Sequence, residues 1–488
     1  MAIKSAVNSI ISTVDQEKQS LDNSTTEDLQ RYVVPTLPKG VKNALTQPAG
    51  RWTKFRIWYN TYRQLFTLTF SANMIALLLT SLGHFHYGDK NASSIALGNI
   101  LVAVLVRNEL FLRGLFWVLV QLFQKWSPFW FRIFLTAFLQ HLGGVHSGAA
   151  TSGVVWLIYA VLRIFQDHRS NHLVLLAMGA IVVLFISTSA ISALPVIRER
   201  HHKHVLLFDG ESVFEHHHRF AGWLGLLSTW TFVMLTIGQV KVETEDTIRW
   251  HFQGSVLLHS QQFWFTLFVT ILIFAPWFTV RKVPVEVTTP SPRVAIVKFD
   301  RGIQQGLLGR VSRDGLREYH AFGIISEGIE SGCHYMIVGA QGDWTRRLVN
   351  DPPKYLYTRE MKARGFARGI IRADNIVQFA GLPYLAHLYK RGIMICTGSG
   401  IGTVLSTCLQ LDNWFLIWIG RKIPPSRRIL FDTKKEGRRP DTVKMLNGIY
   451  TSFSAEVVII TSNPQGNAEL MQACKESNMN SFGPLWDS

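Results

Sequence analysis

Gly392-Ile-Met-Ile-Cys-Thr397-Gly398-Ser-Gly400-Ile-Gly402-Thr-Val-Leu405 carries an apolar run into three alternating glycines and then into a helix-like segment beginning near Thr403. This is the strand–turn–helix pattern of an anion-binding loop. Glycines let the backbone approach a phosphate, and helix-end N–H groups with the aligned dipole favour negative charge. A purely structural turn is the competing reading. Two neighbours align with the first. Trp414-Phe-Leu-Ile-Trp-Ile-Gly420 reads as a second strand that delivers Arg421 and Lys422 at its carboxyl end, the edge where open parallel sheets bind ligands. Those cations suit a 2′-phosphate, favouring NADP over NAD, or are simply solvated surface charges. A third strand, Val457 to Thr461, ends in Ser462-Asn463-Pro464-Gln465-Gly466 at the same edge. Residues 386–488 therefore read as a nicotinamide-nucleotide-binding α/β domain with a parallel sheet.

Upstream, Val283-Pro-Val-Glu-Val-Thr and Arg293-Val-Ala-Ile-Val-Lys-Phe299 alternate with period two, the mark of half-buried strands, and Gly302, Gly306 and Gly309 interrupt the next stretch. Residues 283–385 are expected to form a small flavin-binding β-barrel. Within it, Tyr319-His320-Ala-Phe322-Gly323-Ile-Ile-Ser326 is an aromatic strand ending in small residues. Such a strand suits a flat isoalloxazine or is only barrel core. Gly342-Asp-Trp344-Thr345-Arg346-Arg347 combines a glycine, a hydroxyl and two cations, as a pyrophosphate requires.

The rest of the chain is of another character. Of 488 residues 17% are charged and 48% apolar, with 31 Phe and 15 Trp, against about 25% charged in a soluble domain. That excludes a disordered chain and argues against a wholly soluble enzyme. The four cysteines, Cys333, Cys396, Cys408 and Cys474, have no CxxC spacing and read as reduced thiols, not a disulfide framework. A net charge of +17 suits nucleic acid or an anionic bilayer. The long uncharged stretches decide for the bilayer.

Residues 1–63 read as a polar cytosolic tail with no signal peptide, closed by a basic block from Lys39 to Arg63. Residues 64–282 carry the candidate spans. These are Leu65 to Gly83; Ile95 to Val106, followed by an interfacial piece to Phe123; Ile133 to Leu162, with a break expected at Gly143–Gly148; Leu173 to Leu194; Phe220 to Val240; and Phe263 to Val280. The expectation is six or seven spans, with Arg281 and Lys282 putting the C-terminal half in the cytosol. The membrane is the plasma membrane or an internal one.

Residues 283–488 resemble the ferredoxin–NADP reductase fold, in its NADPH oxidase and ferric reductase branch. Gly342-Asp-Trp344-Thr345 and Gly398-Ser-Gly400-Ile-Gly402-Thr match that branch's motifs. Arg107-Asn108-Glu109 and Phe214-Glu-His-His-His218-Arg-Phe220 are similar to its membrane elements. His141-Leu-Gly-Gly-Val-His146-Ser-Gly148 and the ending Phe482-Gly-Pro-Leu-Trp-Asp-Ser488 are similar to TmpA-like fungal integral membrane oxidoreductases. The resemblance implies FAD held by Tyr319, His320, Phe322, Ser326, Gly342, Trp344, Thr345, Arg346 and Arg347. It implies NADP or NAD held by Thr397, Gly398, Gly400, Gly402, Arg421 and Asn463. It further implies a role in fungal development or secondary metabolism rather than iron uptake.

Two departures stand out. The family's flavin strand reads His-Pro-Phe-Thr/Ser, whereas here it is His320-Ala321-Phe322-Gly323, without the hydroxyl. The family's haem helices carry histidine pairs 13–14 residues apart; here Arg132 lies fourteen before His146 and Phe232 fourteen after His218. One ligand per helix, His146 with His217 or His218, leaves room for a single haem. The competing reading makes these histidines interior hydrogen-bonding or interfacial groups. Paired carboxylates, Gly-x-Ser-x-Gly and a metalloprotease helix are all missing. The expected activity is hydride transfer from NAD(P)H to FAD, with electrons passed to an unidentified acceptor at or across the membrane. The alternatives are a nucleotide-sensing protein with a degenerate reductase fold and a transporter or scaffold with a regulatory tail.

Overall fold

Asn60, whose side chain accepts the backbone N–H of Arg63 at 3.2 Å, starts the first long apolar helix. The computed structural model describes residues 50–167, 173–194, 213–244, 247–315, 318–359, 379–420, 429–432 and 441–484. They fall into two compact units. One is helical, residues 59–111 and 141–278; the other gathers the segments up to residue 58, 112–140 and 279–488.

Before the helical unit comes α1 (Arg51–Trp58). The helical unit contains α2 (Thr61–Ser81), α3 (Ala92–Leu105), α6 (Gly143–Asp167), α7 (Leu173–Ser192), α8 (Val213–Ile237) and α9 (Gln261–Phe274). Between α3 and α6 lie α4 (Glu109–Leu122) and α5 (Phe129–Gln140). Among the described residues five helices are long and apolar enough to cross a membrane, and a sixth results if α3 and α4, bent by 72°, count as one. The stretch Ile133 to Leu162 does break, but at His141 and Leu142. Its first part is a 12-residue helix, too short to cross roughly 30 Å of hydrocarbon, so no seventh span is found among the described residues.

Gly143 to Gly148 are not the break itself. They form the first turns of α6, where Gly144 and Gly148 let two backbones touch. A Cβ on Gly144 would collide with the Tyr62 carbonyl, and one on Gly148 would lie 3.0 Å from that of Phe66. Small residues four apart are how helices approach in an apolar medium. Trp156 is fully buried among Ala92, Ala96, Leu157, Ala160, Val182 and Phe232. Its indole N–H donates to Asn73 Oδ1 at 3.1 Å, to which the Asn99 amide also donates at 2.8 Å. A hairpin of β1 (Gln239–Thr244) and β2 (Thr247–Phe252) joins α8 to α9, at the place where hydropathy alone predicts the end of a span.

The second unit begins, after α9, with β3 (Val280–Pro284), β4 (Glu286–Ser291), β5 (Val294–Phe299), β6 (Leu307–Ser312), β7 (His320–Ile325), β8 (His334–Gly339), helix α10 (Asp343–Asn350), β9 (Tyr355–Arg359) and β10 (Phe379–Ala380). The strands form one antiparallel sheet in the order β3-β9-β6-β7-β8-β5-β4, with β10 also on β6. Its outermost strands, β3 and β4, are separated in sequence by Val285 alone. Seven flat strands would hold those edges roughly 29 Å apart at about 4.8 Å per strand. One residue spans about 3.5 Å. The sheet must therefore curl until its edges meet, as the expected barrel requires.

The chain continues through β11 (Gly392–Thr397), α11 (Ile401–Gln410), β12 (Trp414–Gly420), β13 (Ile429–Asp432), α12 (Thr442–Ser452), β14 (Val457–Thr461), α13 (Pro464–Glu476) and β15 (Ser481–Phe482). The five strands are parallel in the order β13-β12-β11-β14-β15. Their unbroken apolar runs follow from burial on both faces: Ile393, Ile395, Ile417, Val458 and Ile460 sit in one core with Leu446, Ile449 and Leu470.

The same unit claims α4 from Leu112 and all of α5. Arg132 of α5 makes two hydrogen bonds to the carboxylate of Glu456, at 2.9 and 3.0 Å, and one to the Leu388 carbonyl at 2.9 Å. Thr136 and Tyr389 share a hydrogen bond of 2.7 Å, the Gln140 amide donates to the Gly483 carbonyl, and the Arg113 guanidinium lies 4.6 Å over the Tyr384 ring. The units thus divide the chain along other lines than sequence order, because the polar residues of α4 and α5 find their partners near residues 384–389 and 456.

Candidate functional site

In the parallel sheet the strand order reverses between β11 and β14, and ligands of doubly wound sheets bind at the carboxyl ends flanking that point. Thr397 ends β11 and Ser462 follows β14; their hydroxyls are 2.8 Å apart across the crevice. Gly398 has φ +53°, which favours glycine, and faces open space where a side chain would stand. The Trp418 indole N–H donates to its carbonyl at 3.0 Å and pins the turn. Gly400 presses against β14, where a Cβ would come within 2.7 Å of the Thr461 carbonyl. The Thr403 hydroxyl donates to the Gly400 carbonyl at 2.9 Å and stands 3.2 Å from the Thr461 hydroxyl. Asn463 caps α13 by accepting the Gly466 N–H at 2.7 Å. Arg421 lies outside the described residues.

The aromatic strand lies alongside. A Cβ on Gly323 of β7 would collide with the Gly402 carbonyl and Thr403 Cα in the first turn of α11. A hydroxyl-bearing residue has no room here, which accounts for the departure noted in the sequence. His320 and Phe322 point to the side where Trp344 packs, with ring centroids 4.5 and 5.9 Å away. Trp344 is itself buried in the first turn of α10.

Two other expected flavin residues turn into the protein instead. Tyr319 is buried, its hydroxyl donating to the Gly315 carbonyl at 2.8 Å and its ring lying 4.2 Å beneath the Arg359 guanidinium. The Ser326 hydroxyl accepts the Ile303 N–H and donates to the Gly328 carbonyl, both at 3.0 Å.

The third motif closes the group. Gly342 caps α10 and has open space at its Cα, while the Thr345 hydroxyl accepts the N–H groups of Gln341 and Gly342, each at 3.0 Å. Arg346 and Arg347 are exposed, the former 3.4 Å from Asp343. A Cβ on Gly339, just before this loop, would stand 3.2 Å from Ser399 Oγ. Three motifs far apart in sequence therefore meet: Gly323 on Gly402, Gly339 beside Ser399, and His320 and Phe322 on Trp344. Two open glycines, two helix N-termini and exposed arginines form a donor set that fits dinucleotide phosphates.

Sequence reasoning missed what holds the motifs together. Ser406 donates to the Ile324 carbonyl at 2.7 Å, Thr407 to Gln305 Oε1 at 2.9 Å and Gln410 to the Ser326 carbonyl at 2.7 Å, so one polar stripe of α11 ties the parallel sheet to the curled one. The available signal was Thr403, Ser406, Thr407 and Gln410, spaced three and four apart along one face of α11. Cys396, under the glycine loop, is fully buried and its thiol is pushed well up by desolvation, so it stays protonated and inert.

In the helical unit the structure brings His146 and His218 together, with ring centroids 6.5 Å apart. His146 Nδ1 is 2.8 Å from the Ala103 carbonyl and His218 Nδ1 is 2.9 Å from that of Ser189. A carbonyl only accepts, so each Nδ1 carries the proton and each Nε2 is the nitrogen suited to a metal. Among the described residues no cluster of three or more His, Cys, Asp or Glu side chains could hold an ion.

The architecture is a curled antiparallel sheet followed by a doubly wound parallel one, with glycine loops at their junction. Residues 382–426 and 422–488 match the family described as the C-terminal domain of adenylate-forming reductase 03009. Two relatives from Coprinopsis cinerea are similar over 88% of the chain at 27% identity: adenylate-forming reductase 06235 and adenylate-forming reductase 03009. The chain covers 40% of each, so it spans about two fifths of the length of the curated relatives it matches. Among solved structures it is similar to a ferredoxin NADP+ reductase from Neisseria gonorrhoeae with bound FAD and NADP. Identity there is 12%, coverage is 42% of this chain and 99% of that one, and the TM-score is 0.30. It is also similar to phthalate dioxygenase reductase, at 9% identity, 42% and 68% coverage, and a TM-score of 0.29.

Proposed function

We propose that the chain is a membrane-embedded flavin oxidoreductase that takes reducing equivalents from NAD(P)H and delivers them to an acceptor in or beyond the bilayer. The observation that carries this reading is the meeting of the flavin strand, the Gly342 loop and the Gly398 loop at the switch point of the parallel sheet. Open space at Gly342 and Gly398 and the N-termini of α10 and α11 suit two pyrophosphates side by side. When bound, the flavin supplies hydride acceptance and one-electron release. The protein's part is to hold, orient and shield. His320 and Phe322 flank the ring system, Arg346 neutralises phosphate charge, and Thr397 and Ser462 offer hydroxyls to the nicotinamide end. Gly323, by giving up its side chain, lets the two nucleotide supports approach.

The five apolar helices support the bilayer assignment, and the basic residues before α2 and after α9 support a cytosolic module. In the bundle, His146 and His218, with ring centroids 6.5 Å apart, are the residues that would hold one haem, which would supply one-electron relay. The resemblance of the His141–Gly148 and 482–488 stretches to TmpA-like fungal oxidoreductases is the ground for proposing a role in development or secondary metabolism.

The second reading, nucleotide sensing without turnover, draws on Trp344. Its indole already stacks on the aromatic residues that a flavin ring would use. A reduced-minus-oxidised absorbance spectrum of the purified full-length protein separates the two. Flavin bands that bleach on NADPH, with a Soret shift lost in His218→Ala, are the expected result. Bound flavin that NADPH cannot reduce supports sensing, and a colourless protein indifferent to NADPH overturns both.

A further inference from the structure

The second unit exposes an aromatic stripe that none of its described residues covers. In α4, the following turn and α5, Val118, Leu122, Trp126, Trp130 and Phe134 recur every four residues and are exposed, Trp126 at 72% and Trp130 at 71%. The opposite face is fully engaged: Arg113, Phe116 and Val120 of α4 and Arg132, Leu135, Thr136 and Leu139 of α5 are buried. A helix with one anchored face and one face of Trp, Phe and Leu is the pattern of a segment lying in the plane of a membrane interface.

Chain length narrows the choice of occupant. Three residues separate α3 from α4 and two separate α5 from α6, so at about 3.5 Å per residue neither tether exceeds roughly 14 Å. α6 is long and apolar enough to cross, and a helix pair leashed this tightly to a crossing segment is held at the bilayer surface. The charges agree. Between Leu110 and Gln166 there is no Asp or Glu, and Lys125 stands exposed beside Trp126, as anionic headgroups favour. Helix α1 repeats the design, with exposed Trp52, Phe55 and Trp58 among Arg51, Lys54 and Arg56, and runs almost directly into α2.

We infer that α4 and α5 form an interfacial helix pair whose aromatic face inserts into the headgroup–acyl boundary. This inference rests on the proposal that α6 crosses the bilayer.

The test uses the full-length protein in vesicles containing anionic phospholipid. Spin labels are placed singly at Trp126→Cys, Trp130→Cys and Phe134→Cys, and for reference at Ile75→Cys in α2 and Asn447→Cys on exposed α12, in a Cys333→Ser background. The other three cysteines are buried. Collision with lipid-partitioning oxygen and with a water-soluble nickel chelate is measured at each. Positions 126, 130 and 134 are expected to show an oxygen-to-nickel ratio several-fold above that at 447, and shallower than that at 75. Nickel-accessible labels at 126, 130 and 134, with position 75 in lipid, overturn the interfacial placement and leave the spanning helices standing. Labels there shielded from both probes mean a protein partner or a second copy covers the stripe, which overturns the inference as well. Water-like behaviour at 75 removes the membrane reading itself, and the interfacial helix pair with it.

Discussion

Gly323 on β7 and Gly402 in α11 are in backbone contact, so the aromatic strand of the curled sheet and the glycine loop of the parallel sheet meet with no side chain between them. The family that the sequence resembles carries a hydroxyl residue at the position of Gly323. Here Gly323→Thr is expected to be harmful. Forced overpacking costs about 1–3 kcal/mol, and the added atoms would push α11 away from β7. The expected result is a Tm several degrees lower and slower reduction of flavin by NADPH, read by differential scanning fluorimetry and stopped-flow absorbance. Faster reduction would mean that the contact is not maintained in solution.

Gly398→Ala isolates the nicotinamide side. The new methyl meets open space, so the cost is that of a left-handed backbone for an L-residue, about 1–2 kcal/mol. Affinity for NADPH should weaken about tenfold while flavin content stays at the wild-type level. Equilibrium titration and the visible spectrum provide the two readings.

Arg346→Ala addresses the other phosphate. A charge-assisted hydrogen bond contributes about 1.5–3 kcal/mol, so flavin should be retained at least tenfold less tightly. NADPH binding to the glycine loop after β11 should change little. Flavin release followed by fluorescence is the measurement.

Arg132 and Glu456 form an ion pair with Arg132 almost wholly buried. Removing one partner leaves a charge without compensation and is expected to cost about 3–5 kcal/mol, whereas Arg132→Met combined with Glu456→Met should restore much of that loss. Thermal unfolding of the two single variants and the double variant completes the cycle. Additive losses would show that the pair does not act as a unit.

Acid should loosen the curled sheet through His334, which stacks on Phe299 with centroids 4.6 Å apart and turns Nδ1 to the Arg301 carbonyl. Burial depresses its pKa to about 4, against about 6.5 in an unfolded chain. Between those values the unfolded state binds a proton that the native state refuses. Stability is therefore complete above about pH 6.5 and falls toward pH 4, by about 3 kcal/mol in all. A His334→Leu variant should lack that portion of the pH dependence in unfolding measured from pH 7 to 4.

The glycine loop, its strand and its helix were legible because backbone approach and helix-end polarity both leave marks in sequence. Gly398, Gly400 and Gly402 occupy the turn that their spacing predicts. Tyr319 and Ser326 mark the limit: period two fixes which residues alternate, not which face the core claims, and both turned inward. The long apolar helices followed from apolar length. Apolar length could not show where one helix ends and the next begins, however, so α5 was merged with α6. What separated them were Arg132, Thr136 and Gln140, whose partners lie more than two hundred residues away. The hairpin between α8 and α9 was missed because six-residue strands beside an apolar helix give too short a pattern.

Because residues 112–140 fold with the segment beyond residue 279 while their flanks at 59–111 and 141–278 fold together, no single scission frees the C-terminal half intact. Expressed from residue 283 onward, it would leave the Glu456 carboxylate without Arg132, holding only the Lys390 N–H, and the Tyr389 hydroxyl without Thr136, along with the apolar floor beneath a missing helix. Poor behaviour of such a truncate would reflect amputation rather than an inability to hold a nucleotide, and a workable soluble version would need the 112–140 segment grafted back.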